Sequence, residues 1–176
     1  MTSDDSLPAL VAASIGGDRE AFGALYRRFG RAVHGVLIAR LTPEDAEDVL
    51  QDVFMHAFAH LKEVRQPESF GGWICAIARR RATDFYRQLR PTEPLEDTAV
   101  ARDRPDVTAD ATRALAAIQT LPEAYRETLV LRLVEGLSGP EIAGMTGLTP
   151  DSVRVNLHRG FRLLRERLGI RVGVAP

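Results

Sequence analysis

Apolar positions along the chain recur at steps of three and four, and no convincing run alternates in the manner of a strand, so the pattern predicts an all-α protein. From Arg19 to Leu41, Phe22, Leu25, Tyr26, Phe29, Val33, Val36 and Leu37 lie on one face of an amphipathic helix. Thr42, Pro43 and Asp45 then form a start signal. The threonine is an N-cap, proline suits the first turn, and the acid favours the positive end of the helix dipole. Val49, Val53, Ala57 and Leu61 continue this second helix. The segment "KEVRQPESF" reads as a loop, with Ser69 a possible cap for a third helix that Pro91 stops.

Residues 91–110 break the pattern, with proline and acids in place of large apolar side chains. They read as a flexible acidic linker. Helical spacing resumes from about Ala111 to Val134, with Leu115, Ile118, Leu121, Leu129 and Leu133 as candidate core. The expected organisation is two small helical domains, residues 1–90 and 111–176, on either side of that linker.

The segment "LSGPEIAGMTGLTPDSVRVNL" has the spacing of a helix-turn-helix. Ala143 stands where two helices approach, Gly147 at the turn, and Val153 and Leu157 anchor the second helix. With Val153, Leu157, Phe161, Leu164 and Leu168 inward, Arg154, Val155, His158, Arg159, Arg162 and Arg165 point outward. About 19 helical residues span nearly 30 Å, against roughly 12 Å for a major groove, so only the early turns can read bases. Ser152, Arg154, Val155, His158 and Arg159 therefore form the expected DNA-facing end. Arg162 and Arg165 are placed to reach phosphates or another protein. A solvated basic face is the alternative, and the helix-turn-helix spacing immediately upstream favours DNA.

Charge changes the picture only through its distribution. The net charge is −1, from 23 basic and 24 acidic residues, and Lys62 is the only lysine. Arginine suits bidentate contacts to phosphate and guanine, although biased base composition in the genome explains the same preference. The acidic start "MTSDDSLPALVAA" is unlike a secretory signal, and no apolar run reaches the roughly 18 residues of a membrane span. A cytoplasmic protein without membrane insertion of its own is expected. Cys75, the single cysteine, reads as a small buried apolar residue. No nucleophile–base pair or phosphate-cradling glycine loop stands out, so neither an enzyme nor a cofactor is expected.

The segments "DAEDVLQDVFMHAFAHL", "ESFGGWICAIARRRATDFYRQ" and "LPEAYRETLVLRLVEGLSGPEIAGMTGLTPDSVRVNLHRG", in this order, resemble the extracytoplasmic-function (ECF) group of bacterial RNA polymerase sigma factors. The resemblance runs from about Gly17 to Leu168. It implies a non-enzymatic factor that binds core RNA polymerase, with a first domain reading and melting the promoter −10 element and a second reading the −35 element. It also implies an anti-sigma factor as inhibitor. The linker corresponds to the family segment that threads through the polymerase.

Several residues suit those roles. Asp48, Gln51, Asp52 and Met55, extended by Asp45, make an acidic face of the second helix that would repel DNA. In the family the corresponding helix docks on basic clamp helices of the largest polymerase subunit. On the third helix Arg79, Thr83, Arg87 and Arg90 follow helical spacing, with Arg80 and Arg81 adjoining, and suit phosphate contacts along the −10 region. The resemblance makes Arg65, Gln66, Glu68 and Ser69 the pocket for a flipped base. Trp73 either stacks near the melted junction or packs in the core, and Ile74, Ile77 and Ala78 favour packing. Arg80 stands where asparagine is frequent, Val155 and Asn156 where the family is more polar, and Gly160 and Phe161 where a small and a basic residue are frequent. These departures weaken transfer of any −35 sequence.

Two other readings remain open at this point. One is a polymerase-independent helix-turn-helix regulator, expected to be dimeric on a two-fold site. The other is a helical metal-binding protein using Asp52, His56 and His60, with Glu63 as a further ligand. It lacks a second ligand cluster and the HExxH arrangement.

Overall fold

The computed structural model describes residues 6–89 and 108–170, which contain helices and no strand. The first unit holds α1 (Leu7–Ile15), α2 (Arg19–Ile38), α3 (Pro43–His60) and α4 (Phe70–Leu89). The second holds α5 (Thr108–Gln119), α6 (Glu123–Leu133), α7 (Gly139–Thr146) and α8 (Pro150–Leu168).

Local chemistry explains most boundaries. The Asp18 carboxylate accepts from the amides of Glu20 and Ala21 at 2.8 and 3.1 Å, starting α2. Thr42 accepts from the Asp45 amide at 3.2 Å and starts α3, as its sequence predicts. Thr149 does the same for α8 through the Ser152 amide. Ser138 and Glu141 form a reciprocal capping box at α7. Gly147 then ends α7 at φ 73°, a left-handed conformation that favours glycine.

The structure departs from the sequence pattern in several places. Helix α1 was not anticipated; it starts at the Ser6 cap and buries Val11 and Ser14 against the rest of the first unit. Helix α2 stops at Ile38, before the expected Leu41. Ser69 does not serve as the expected cap of α4, because it sits in a short 3-10 turn, Pro67–Ser69, and its hydroxyl donates to the Gln66 carbonyl at 2.7 Å. The linker expected over 91–110 lies outside the described residues except for its last three, which form the first turn of α5. The continuous pattern from Ala111 to Val134 is two helices, broken before Pro122. Leu133, expected in the core, is 49% exposed at the end of α6, while Ile118, Leu121 and Leu129 are fully buried.

A continuous apolar core joins the two units. In the first unit α2 lies between α1, α3 and α4, burying Leu25, Phe29, Val33, Val36 and Leu37. Helix α6 is the hub of the second and also packs on α2. Five consecutive α6 residues, Glu127 to Leu131, are buried, so this helix is covered on nearly every side.

Candidate nucleic-acid interface

The turn at Gly147 directs α8 across α6 and α7. Val153 and Leu164 are buried, Leu157, Phe161 and Leu168 are half-buried, and all five face inward as expected. Gly160 belongs to the same inward face. A Cβ there would stand 3.0 Å from Leu129 Cδ1 and 3.3 Å from Tyr125 Cβ, so the absent side chain lets α8 lie close to α6. Asn156 also turns inward and donates to the Ala124 carbonyl at 3.0 Å.

The opposite face carries Arg154, Val155, His158, Arg159, Arg162 and Arg165, all exposed, with Ser152 half-buried beside the cap. Arg154 pairs with Asp151 one turn earlier at 3.1 Å, and both are open to solvent. Such a pair is weak and exchangeable, and it orients the guanidinium near the start of the helix. Ser138 holds the start of α7 in place. Its hydroxyl and amide both donate to Glu141, and these bonds hold the Glu141 carboxyl below its ordinary pKa.

On α3, Asp48, Gln51, Asp52 and Met55 are exposed together on one side, Met55 at 71%. Asp45 is half-buried and accepts from the Thr42 hydroxyl at 2.7 Å. Phe58 and Tyr26 add exposed apolar surface nearby, with Phe58 edge-on to Phe22 at 4.8 Å.

The basic residues of α4 divide into two groups. Arg80, Thr83 and Arg87 are exposed, as are Arg65, Gln66, Glu68 and Ser69 in the preceding loop. Arg79 instead reaches the second unit. Its Nε and Nη2 donate to the Glu127 carboxylate at distances down to 2.7 Å, and Nη2 also donates to the Met145 carbonyl at 2.8 Å. Burial opposes its charge, but the hydrogen bonds and charge of Glu127 outweigh this and raise the Arg79 pKa. Glu127 is also met by Arg40 at 2.9 Å. No sequence spacing marked Glu127 or Arg40 as partners, because they are 87 positions apart and only the packing of α2 on α6 joins them.

Trp73 is half-buried against Phe70 and the core, which fits the packing role. Cys75 is fully buried, and burial is the main reason its thiol is raised to about 12. His56 and His60 stack at 4.0 Å, but both Nδ1 atoms are engaged within the protein. His60 Nδ1 donates to the His56 carbonyl at 2.8 Å, and Arg81 donates to His56 Nδ1 at 3.0 Å. No group of three potential metal ligands occurs among the described residues, and none of their helices is long and apolar enough to cross a membrane.

This geometry defines a two-part helical protein whose second part presents an arginine-bearing helix after a helix-turn-helix turn. Family models agree: residues 25–92 match sigma-70 region 2, and residues 111–164 match sigma-70 region 4. The Myxococcus xanthus sigma factor CarQ is 35% identical over 87% of this chain and 92% of its own. The Mycobacterium tuberculosis ECF sigma factor SigM is 33% identical over 91% and 83%. A solved structure of CnrH in complex with the cytosolic domain of CnrY has a TM-score of 0.69 and 26% identity, covering 94% of this chain and 98% of that one. The chain belongs to the sigma-70 family of RNA polymerase sigma factors, within its ECF group. It is therefore a promoter-specific transcription initiation factor.

Proposed function

We propose that residues 1–90 bind core RNA polymerase and the −10 element, residues 111–176 bind the −35 element, and residues 91–110 tether them. The exposed early face of α8 carries this reading. Arg154, Val155, His158 and Arg159 lie together on the side opposite Val153, Gly160 and Leu164, free to enter a major groove. Arg162, one turn further, lies where phosphate passes the helix. Arg65, Gln66, Glu68 and Ser69 accept the displaced base of the −10 strand, while Arg79, Arg80, Thr83 and Arg87 line its backbone.

The polymerase takes the acidic face of α3. Asp48, Gln51, Asp52 and Met55, with Asp45 at their edge, offer carboxylates around an exposed apolar side chain, a combination suited to a basic helical partner. The factor acts in the cytoplasm and performs no catalysis of its own. An anti-sigma factor restrains it, a reading supported by the likeness to CnrH, which was solved with the cytosolic domain of CnrY.

Charge reversal tests the polymerase assignment. Asp48→Arg with Asp52→Arg should abolish holoenzyme assembly while leaving the helical circular dichroism unchanged. Undiminished binding to core polymerase would contradict the proposed α3 face.

A further inference from the structure

The acids of α8 are Asp151 and Glu166, and only Asp151 lies in the early turns. Its side chain is 85% exposed. At about 100° per residue, Val155, His158 and Arg162 fall within about 40° of Asp151 around the helix axis. Arg154 and Arg159 flank that line on its two sides, and Val153, Leu157, Gly160 and Leu164 occupy the opposite, inward side. Asp151 therefore heads the row of side chains that faces the groove.

A carboxylate in that row opposes binding unless it has a partner of its own. Phosphates line both edges of a major groove, and a negative charge carried between them is repelled. The helix start does not require the acid on this side. Thr149 already caps α8 by accepting from the Ser152 amide at 3.2 Å, and an acid satisfies the helix dipole anywhere in the first turn. What the outward line meets in the groove is base edges, where the donors are the exocyclic amines of cytosine and adenine. An ionised carboxylate only accepts, so it takes a hydrogen bond from those amines and repels the keto oxygens of guanine and thymine.

We propose that Asp151 is a specificity-determining residue of the −35 contact, accepting a hydrogen bond from one exocyclic amine, cytosine N4 or adenine N6. The inference rests on the assignment of the −35 element to the second unit. Arg154 gives the second argument. Its Nη2 lies 3.1 Å from Asp151 Oδ1, one turn along the helix, and both side chains are open to solvent. The carboxylate has a second oxygen, so it can hold the guanidinium and still accept from a base. The guanidinium, pinned on one side, keeps donors for the O6 and N7 of a guanine. The two side chains thus read neighbouring positions as a unit, a guanine through Arg154 and an amine-bearing base through Asp151. The same pairing discourages wrong sites, because a phosphate that approaches Arg154 also meets Asp151.

Selection of promoters from a pool randomised across the −35 element tests this, with holoenzyme assembled from core RNA polymerase and the full chain. For the wild type, one −35 position should favour cytosine or adenine over guanine or thymine on one strand, by about fivefold or more. Asp151→Asn should erase that preference, because the amide also donates to keto oxygens, and should tighten binding to DNA of unrelated sequence. Asp151→Ser keeps a residue suited to a helix start and carries the test if Asp151→Asn loses its helical circular dichroism. Unchanged preference at every position, with at most a loss of thermal stability, would leave Asp151 to the helix dipole and overturn the inference. A loss confined to a guanine preference would also overturn it, because Asp151 would then act only through Arg154. No −35 preference in wild type and variants alike would overturn the −35 assignment and the inference together.

Discussion

Gly160 of α8 lies directly against Leu129 of α6, with only 3.0 Å between the place of its missing Cβ and Leu129 Cδ1. Leu129 is fully buried, so it can give way only by displacing its packed neighbours. Gly160→Ala gains helix propensity of about 1 kcal/mol but drives the new methyl into Leu129 and Tyr125. Gly160→Val should therefore destabilise the second unit by about 1–3 kcal/mol, the usual range for overpacking. Thermal denaturation of the full chain checks this, and a Val variant as stable as wild type would show that α8 can lift from α6 without loss.

Asn156 and Val155 should separate stability from specificity. Asn156→Ala removes the bond to the Ala124 carbonyl and should cost about 0.5–1.5 kcal/mol of stability with little change in preferred −35 sequence. Val155 is 40% exposed and makes no such bond. Substituting it should alter −35 preference at nearly constant stability, and selection of bound sequences from a randomised −35 pool distinguishes the two.

Arg154→Ala and Arg159→Ala should each weaken −35-dependent binding by about 1–3 kcal/mol if they contact base edges. The same substitution at Arg162 should act uniformly across −35 sequences and reduce the salt dependence of binding. Affinity measured against salt concentration checks both expectations.

His56 should contribute to acid sensitivity. Burial, followed by the charges of His60 and Arg81, lowers its pKa from 6.5, partly offset by Glu63. The unfolded chain therefore binds a proton more readily than the folded one. This contribution to stability is complete above about pH 6.5 and is lost as pH falls from there through the lower folded pKa. A ring titration by NMR should give a midpoint below 6.5, and His56→Gln should decline less steeply between pH 7 and 5. A midpoint at or above 6.5 would contradict the environment described for this ring.

The legible parts of the fold were those written in local chemistry. Thr42 with Pro43, and Thr149 with Pro150, mark helix starts because the cap and the proline act within one turn. Gly147 marks the turn for the same reason. Helix α1 went unread because it is nine residues long and buries only Val11 and Ser14, too few positions to establish a period. Leu133 was misplaced because α6 is buried on several sides, so its apolar residues define no single stripe from which to project the next position. The outward faces of α3 and α8 followed from periodicity. Arg79 did not, because its position depends on Glu127 and Met145, which only tertiary packing brings to α4.

The central claim is that this chain programmes RNA polymerase for a defined class of promoter. The most direct test is run-off transcription with purified core polymerase on a library of genomic fragments, with and without the protein. The account predicts new transcripts that start downstream of one shared pair of −10 and −35 elements, and loss of those transcripts when Asp48 and Asp52 are both changed to arginine. A protein that left the transcript pattern of core polymerase unaltered, while binding a palindromic site as a dimer, would contradict it.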